Sequence, residues 1–224
     1  MVYMAQDSDF KKIDGNWIYK GQEKEVEIPE YINGELVTDL SGMFDTELGG
    51  TKITKLVVKH DKLERFARFL PSRDDTTLPD ISEVNTSNVK YAESMFNYSR
   101  ELTSIDLSSL DLSNMLDMNL AFSACPKLET IDLSSLDTST LINMELMFIE
   151  SPKLQKIYAR TKEDAERLRE QAKKDGISPK FYIREPVEFD FDIRLGSYNI
   201  ESIFLKDKNG KLNELKAYRE KLVE

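Results

Sequence analysis

Apolar residues along the chain recur at a fixed interval of 26. Leu102, Leu128 and Leu154 fall in one column, Ile105, Ile131 and Ile157 in a second, Phe96, Phe122 and Phe148 in a third, and Val89, Met115 and Leu141 in a fourth. The strings Asp106-Leu107-Ser108-Ser109-Leu110 and Asp132-Leu133-Ser134-Ser135-Leu136 are near copies, and Asp80-Ile81-Ser82-Glu83-Val84 is a looser one. Met43-Phe44 stands two periods before Met95-Phe96, with Leu63 to Leu70 in the slot between. Repetition at this period marks a solenoid, in which no unit buries its apolar faces alone and stacking makes the core.

Two periodicities run through each unit. Leu102, Ile105 and Leu107 have the L-x-x-L-x-L spacing, with Ile105 and Leu107 on one side of a short strand. Val89, Ala92, Met95 and Phe96 recur at three- and four-residue steps, as do Met115, Met118 and Phe122, and then Leu141, Met144 and Met147-Phe148. That stepping predicts a two-turn helix with an inward stripe. Thr86-Ser87-Asn88, Ser113-Asn114 and Thr138-Ser139-Thr140 precede these stripes as N-caps, and Pro126 and Pro152 follow them as stops. The expected fold is an α/β leucine-rich-repeat solenoid of strand-turn-helix units, about five rungs and roughly 25 Å long at about 4.8 Å per rung.

The flanks read differently. In 1–31, Trp17-Ile18-Tyr19 and Val26-Glu27-Ile28 around Gly21-Gln22 predict a hairpin that caps the first rung, with Trp17 packed over it; Pro29 and Asn33-Gly34 punctuate entry into repeats that fill 32–160. In 161–184, Thr161 caps a charged helix that Gly176 ends, and Phe181-Tyr182-Ile183 offers a last strand, together a C-terminal cap. In 185–224, Val187, Phe189, Phe191, Ile193 and Leu195 alternate with polar residues as a half-buried strand. Ile200 to Leu205 follows as a second strand and Lys211 to Val223 as an amphipathic helix, with Leu212, Leu215, Tyr218 and Leu222 on one stripe. So small an α+β element cannot hold a core by itself, so Phe189, Phe191, Ile193, Leu212, Leu215, Tyr218 and Leu222 form a candidate assembly surface.

The repeat text resembles the BspA-like leucine-rich repeats of bacterial surface proteins, whose units read L-x-x-L-D-L-S-x-F-D-T-S-N-V-x-x-M-x-x-M-F-x-x-C. Leu128-Glu-Thr-Ile-Asp-Leu-Ser-Ser-Leu-Asp-Thr-Ser-Thr-Leu-Ile-Asn-Met-Glu-Leu-Met-Phe148 carries the match, and Cys125, Ser99 and Ser151 fill the Cys column. The resemblance is strong over Leu78 to Ile157, reaches in register back to about Ile32, and stops near Arg160. It implies adhesion or recognition at a bacterial surface, and the same repeats occur in bacteriophage structural proteins. The start MVYMAQDSDF lacks the basic end and apolar core of a secretory leader, and no wall-anchor motif closes the chain. The expected function is therefore that of a virion structural or host-attachment protein. The alternatives are a bacterial surface adhesin and a cytosolic binding module.

Composition narrows the partners. A net charge of −10 and a pI near 4.9 disfavour nucleic acid and anionic lipid, which need clustered Lys and Arg. No apolar run is long enough to span a bilayer. Protein partners remain, with the chain as an oligomer or part of a larger assembly.

Catalytic chemistry finds little material. His60 sits in the polar stretch Lys59-His60-Asp61-Lys62 and reads as a solvated loop histidine. Cys125 occupies a column otherwise filled by serine and reads as a small buried residue. One His and one Cys make no ordinary zinc site, and Gly49-Gly50 is not followed by the Lys-Ser/Thr of a phosphate loop. Asp190 and Asp192 read as the wet face of an edge strand, and Asp207-Lys208-Asn209-Gly210 as a turn, since no later acid completes a calcium loop. No enzyme, metal or cofactor is expected. The candidate partner-binding strip is the outward face of the strands. Asp80, Asp106 and Asp132 would align at the rung spacing, flanked by Ser82, Ser108 and Ser134, and the strip would end at Tyr158 and Arg160. Aligned carboxylates are tolerated only if solvated or matched by cations.

Overall fold

The computed structural model describes residues 1–45, 48–69, 78–186, 204–206, 212–214 and 218–223. In chain order its strands are β1 (Tyr3–Met4), β2 (Phe10–Ile13), β3 (Asn16–Tyr19), β4 (Glu25–Glu27), β5 (Tyr31–Ile32), β6 (Glu35–Leu36), β7 (Lys55–Val58) and β8 (Asp80–Val84). They continue with β9 (Ser104–Asp106), β10 (Thr130–Leu133), β11 (Lys156–Ala159), β12 (Lys180–Pro186), β13 (Phe204–Lys206), β14 (Leu212–Glu214) and β15 (Tyr218–Val223). Among the described residues there is one α-helix, α1 (Lys162–Lys174).

The 26-residue period winds the chain into a β-solenoid of about seven turns. Strands β1, β4, β7 and β8 pair in parallel, as do β9, β10, β11 and β12, so eight strands stack where five rungs were expected. Register follows the repeat, with Ile131 opposite Ile105 on one side and Ile157 on the other. A second parallel ladder of single bridges joins Asp39, Arg65, Tyr91, Asp117 and Asn143. Between the two ladders the apolar columns fill the core. Phe122 is fully buried and stacks on Phe96 at 5.8 Å and on Phe148 at 6.0 Å, near-parallel in both cases. Aromatic pairs at these distances add to the burial of the rings themselves.

The expected helices of the repeats are not helices. Each stripe is a run of tight turns in which alternate amides go to different places. Met95, Asn97 and Ser99 donate within the rung to the carbonyls of Ala92, Ser94 and Phe96. Ala92, Ser94, Phe96 and Tyr98 donate along the stack to Asp117, Asn119, Ala121 and Ser123, at 2.9, 2.8, 2.8 and 3.1 Å. An α-helix spends its amides on its own carbonyls and leaves none for a neighbour. Left-handed residues recur at two positions of each unit: Ser94 and Tyr98, Leu120 and Ala124, Leu146 and Glu150, all with φ between 53° and 62°. A chain that reverses hand twice in five residues cannot be helical. The inward residues of these turns still fall three and four apart, which is why apolar spacing mimicked a helix. The intended N-cap residues serve as turn residues: Asn85, Asp111 and Asp137 accept the amides of Ser87, Ser113 and Ser139 through their side chains.

The N-terminal hairpin also forms elsewhere than expected. Strands β2 and β3 pair across Asp14-Gly15, whose φ values of 50° and 89° are those of a two-residue hairpin turn. Val26 lies in β4, which pairs in parallel with β1 and β7, and not in that hairpin. Asn33-Gly34, at φ 50° and 78°, is the turn of a second hairpin, β5–β6. Trp17 is half-buried, packs on the core and carries Lys12 Nζ 5.1 Å from its ring.

Helix α1 is where the sequence placed it. Thr161 Oγ1 accepts the Asp164 amide at 3.1 Å, and Gly176 leaves the helix at φ 81°. Ala165, Leu168 and Ala172 are buried in the core. The helix also receives polar groups of the turn layer. Phe96 and Phe122 amides donate to carbonyls of the next rung, but the Phe148 amide donates to Asp175 Oδ2 at 2.9 Å. Asp164 Oδ1 takes the Thr138 amide at 2.9 Å and its hydroxyl at 2.6 Å.

In the tail, the described residues contradict the amphipathic helix expected over Lys211 to Val223. Leu212 lies in β14, paired with β13, and Tyr218 and Leu222 lie in β15, which runs antiparallel along β12 from Phe181↔Val223 to Pro186↔Tyr218. Leu222 is half-exposed and Val223 is buried in the solenoid core. Glu220 reaches Lys156 Nζ at 2.7 Å and also accepts from the Tyr158 hydroxyl, and the Val223 carbonyl accepts from Arg169 at 2.7 Å. Edge coverage explains the strand: the open side of β12 needs hydrogen bonds that a helix cannot give. Phe189, Phe191, Ile193 and Leu215 lie outside the described residues, as do Asp190, Asp192 and Asp207 to Gly210.

Candidate functional site

The strand face carries the expected strip, but packing divides it. Ile105 and Leu107 point inward, fully buried, while Ser104, Asp106 and Ser108 are exposed between them. Every aspartate of the strip is first engaged close by in the chain. Asp80, Asp106 and Asp132 accept the amides of Ser82, Ser108 and Ser134 at 3.0, 2.9 and 2.9 Å. In β9 and β10 this turn ends the strand, whereas Asp80 opens β8; the turn accounts for the D-x-S repeat in the sequence.

Beyond that turn the three aspartates differ. Asp132 is 3% exposed and forms an ion pair with Arg184 of β12, whose guanidinium also lies 4.7 Å from the Tyr158 ring. Tyr158 is buried, and Lys156 Nζ sits 4.5 Å from its ring and 4.6 Å from that of Tyr182. Arg160 bridges Asp137 and Asp164, each at 2.9 Å. The hydrogen bonds that Asp164 offers raise the Arg160 pKa above its ordinary value. Asp132, Tyr158 and Arg160 are thus committed to holding β12, β15 and α1 in place. Ser134 is half-buried beside them.

Asp80, Ser82, Asp106 and Ser108 remain exposed, and they come together at a break in the sheet. Among the described residues no backbone hydrogen bond joins β8 to β9, although the strands before and after this point are paired. The turn ladder crosses the same rungs unbroken, through Tyr91↔Asp117 and the Ala92 to Tyr98 amides. Among the described residues the stack is therefore closed on its turn side and unpaired between β8 and β9 on its strand side. The opening is a groove of about 410 Å³ lined by Leu78, Pro79, Asp80, Ile81, Ser82, Ser104, Asp106, Ser108 and Ser109.

A bulge explains the break. Val57 and Val58 pair with Glu83 and Val84 at the 26-residue offset of the repeat, but Lys55 pairs with Asp80 one residue short of it, so Ile81 and Ser82 stand opposite Leu56 alone. The extra residue bends β8 away from β9 and ends the ladder. It is also why Asp80-Ile81-Ser82-Glu83-Val84 is the looser copy in the sequence. Ser104, Ser109, Leu78 and Pro79 were missed as groove residues because their role depends on that local bulge in pairing. Lys55 contacts Asp80 at 3.2 Å and Glu83 at 2.5 Å. Hydrogen bonds from the Ser82 hydroxyl and amide, and then the Lys55 contact, lower the Asp80 pKa below the usual carboxylate value.

The chemically reactive side chains lie elsewhere. Cys125 is fully buried, donates to the Phe96 carbonyl at 3.2 Å, and has its thiol pKa pushed up to about 12 by burial. Ser99 and Ser151 are fully buried in the same column, and Ser151 Oγ accepts the Cys125 amide at 3.1 Å. His60 is half-buried and not freely solvated, and burial lowers its pKa. Among the described residues no three His, Cys, Asp or Glu side chains converge as metal ligands, and no helix is long and apolar enough to cross a membrane.

Parallel strands stacked by tight turns around a dry core, with a polar outer face, define a β-solenoid, an architecture that offers long surfaces to partners. Residues 66–172, a little under half of the chain, match the family model described as Mycoplasma protein of unknown function, DUF285. No curated protein and no solved structure matches the chain.

Proposed function

We propose that the chain is a non-catalytic recognition module that binds another protein through the exposed part of its strand face. One observation carries the reading. Asp80, Ser82, Asp106 and Ser108 keep free surface after the fold has used what it needs, while Asp132, Tyr158 and Arg160 at the same repeat positions are spent on internal contacts. A surface left polar, concave and acidic beside a packed core suits contact with a protein of opposite charge.

The likeness of the repeats to BspA-like units supports a bacterial surface as the setting, and the family match, whose description names Mycoplasma, supports a bacterial origin. The virion setting draws no support from that match. Selection from a random displayed-peptide library on the immobilised chain tests the function. Enrichment of a common motif, with binding lost in the double variant Asp80→Asn/Asp106→Asn, is the expected result. Repeated selection without enrichment would overturn the reading.

A further inference from the structure

The turn face of the stack carries apolar side chains that the fold does not ask for. Lys90, Leu116 and Ile142 share one outward column of the repeat, and Ser94, Leu120 and Leu146 share another. Lys90 and Ser94 fill these columns with polar groups in their own rung, so stacking does not require leucine or isoleucine there. Yet Ile142 is 82% exposed and Leu146 44%, and of the large apolar side chains among the described residues only Met1 is more exposed than Ile142. Leu116 and Leu120 lie half-buried one rung away. An apolar patch of this kind on a soluble surface marks a contact site.

Charge beside the patch has both signs. Glu145 and Glu150 are exposed on the same rung as Ile142 and Leu146. Helix α1 is set over this rung by the bonds of Thr138 to Asp164 and of Phe148 to Asp175. It turns Ala165, Leu168 and Ala172 to the core, and Arg169 on one flank reaches the strand side, 5.3 Å from the Phe181 ring. At about 100° per residue, Arg167 and Lys174 fall on the other flank and continue the turn face, with Glu163 one turn before Arg167. Glu145, Glu150, Arg167 and Lys174 are all exposed and form no ion pair among the described residues. Earlier rungs pair their charges internally, Lys90 with Glu64 at 4.0 Å and Arg65 with Glu93.

We propose that this face pairs with the same face of a second copy of the chain. A two-fold contact needs a surface that complements itself, and an apolar centre bordered by unpaired acids and bases does so. An axis through Ile142 and Leu146 lays the copies antiparallel. The aliphatic side chains then close on one another, and the α1 cations of each copy cross toward the carboxylates of the other. A uniformly basic partner would meet Arg167 and Lys174, and a uniformly acidic one Glu145 and Glu150. Four aliphatic side chains make a contact at the low end of interface sizes, so the pair forms with a Kd of roughly 10–100 µM and the dilute chain is monomeric.

The test is sedimentation equilibrium of the full chain from about 5 to about 500 µM, a range that brackets this Kd. A reversible rise in mass from one chain to two is expected. Ile142→Ser/Leu146→Ser should weaken the pairing roughly tenfold or more, since most of the apolar area is gone. Thermal melts should show its fold kept, because both side chains face water. Glu145→Lys/Glu150→Lys and Arg167→Glu/Lys174→Glu should each be monomeric, and an equimolar mixture of the two should dimerise again, because their reversed charges match. A constant mass over the whole range, a dimer indifferent to the serine variant, or a mixture that stays monomeric would each overturn the pairing. The turn face lies across the core from the strand groove, so none of these results touches the library selection.

Discussion

Replacing two left-handed residues with glycine separates turns from helices by the sign of the effect. Ser94 and Glu150 have φ of 56° and 58°, and Gly42 already fills the Ser94 column two periods earlier, at φ 67°. A non-glycine residue held in this region costs about 1–2 kcal/mol, a strain that glycine escapes. Glycine's larger freedom in the unfolded chain takes back about 0.4–1 kcal/mol. The net gain is about 0.5–1 kcal/mol per site. The two sites lie in rungs that are not neighbours and share no contact, so Ser94→Gly/Glu150→Gly should gain about 1–2 kcal/mol. For a chain of this size that raises the Tm by roughly 2–8 °C. Were these segments helical, the same pair would lose about 1–2 kcal/mol. Urea titration followed by tryptophan fluorescence reads the difference directly, and destabilisation by the double variant would refute the turn geometry.

Phe122→Ala should cost about 3–5 kcal/mol by urea titration, since it empties a site shared with two neighbouring rings, whereas Asp106→Asn should change stability by under about 0.5 kcal/mol because the new side chain still accepts the Ser108 amide. Asp164→Ala should cost about 2–3 kcal/mol, because it strips partners from buried Thr138 and from Arg160. Burial raises the Asp164 pKa, but hydrogen bonds from Thr138, Thr161 and Arg160 outweigh it and bring it below the ordinary value. Its stabilising contribution is therefore complete above about pH 4 and is lost as the pH falls through the lower folded-state pKa, a loss that thermal melts should show in the native chain and not in Asp164→Asn. Ending the chain at Pro186 removes β15 and uncovers β12, so sedimentation should show self-association of the shortened chain; an unchanged monomer would mean that β15 protects nothing.

What the sequence revealed and what it concealed follow from which signals are local. The columns at 26 residues state the stacking and the register outright, because a solenoid must place equal residues over one another. Thr161 and Gly176 announced α1 for the same reason: caps act within a turn. The repeats' second halves were misread because spacing reports which side chains face inward and not where amides go, and Ala92 to Tyr98 send theirs to the next rung. Asp14-Gly15 was a legible hairpin signal that the apolar run Trp17-Ile18-Tyr19 masked. The D-x-S repeat was read as a binding strip, but its first role is the Asx turn. The fate of each aspartate depended on residues far away, such as Arg184 and Glu220, that no local pattern links to it. The groove itself rests on one extra residue in β8.

Amide hydrogen exchange, resolved by residue, tests the break between β8 and β9 most directly. Asp106, Asp132 and Tyr158 share one repeat position. The Asp106 amide should exchange orders of magnitude faster than those of Asp132 and Tyr158, because among the described residues β9 has no paired strand on its β8 side while β10 and β11 are paired. Equal protection at all three positions would show a stack closed at this rung.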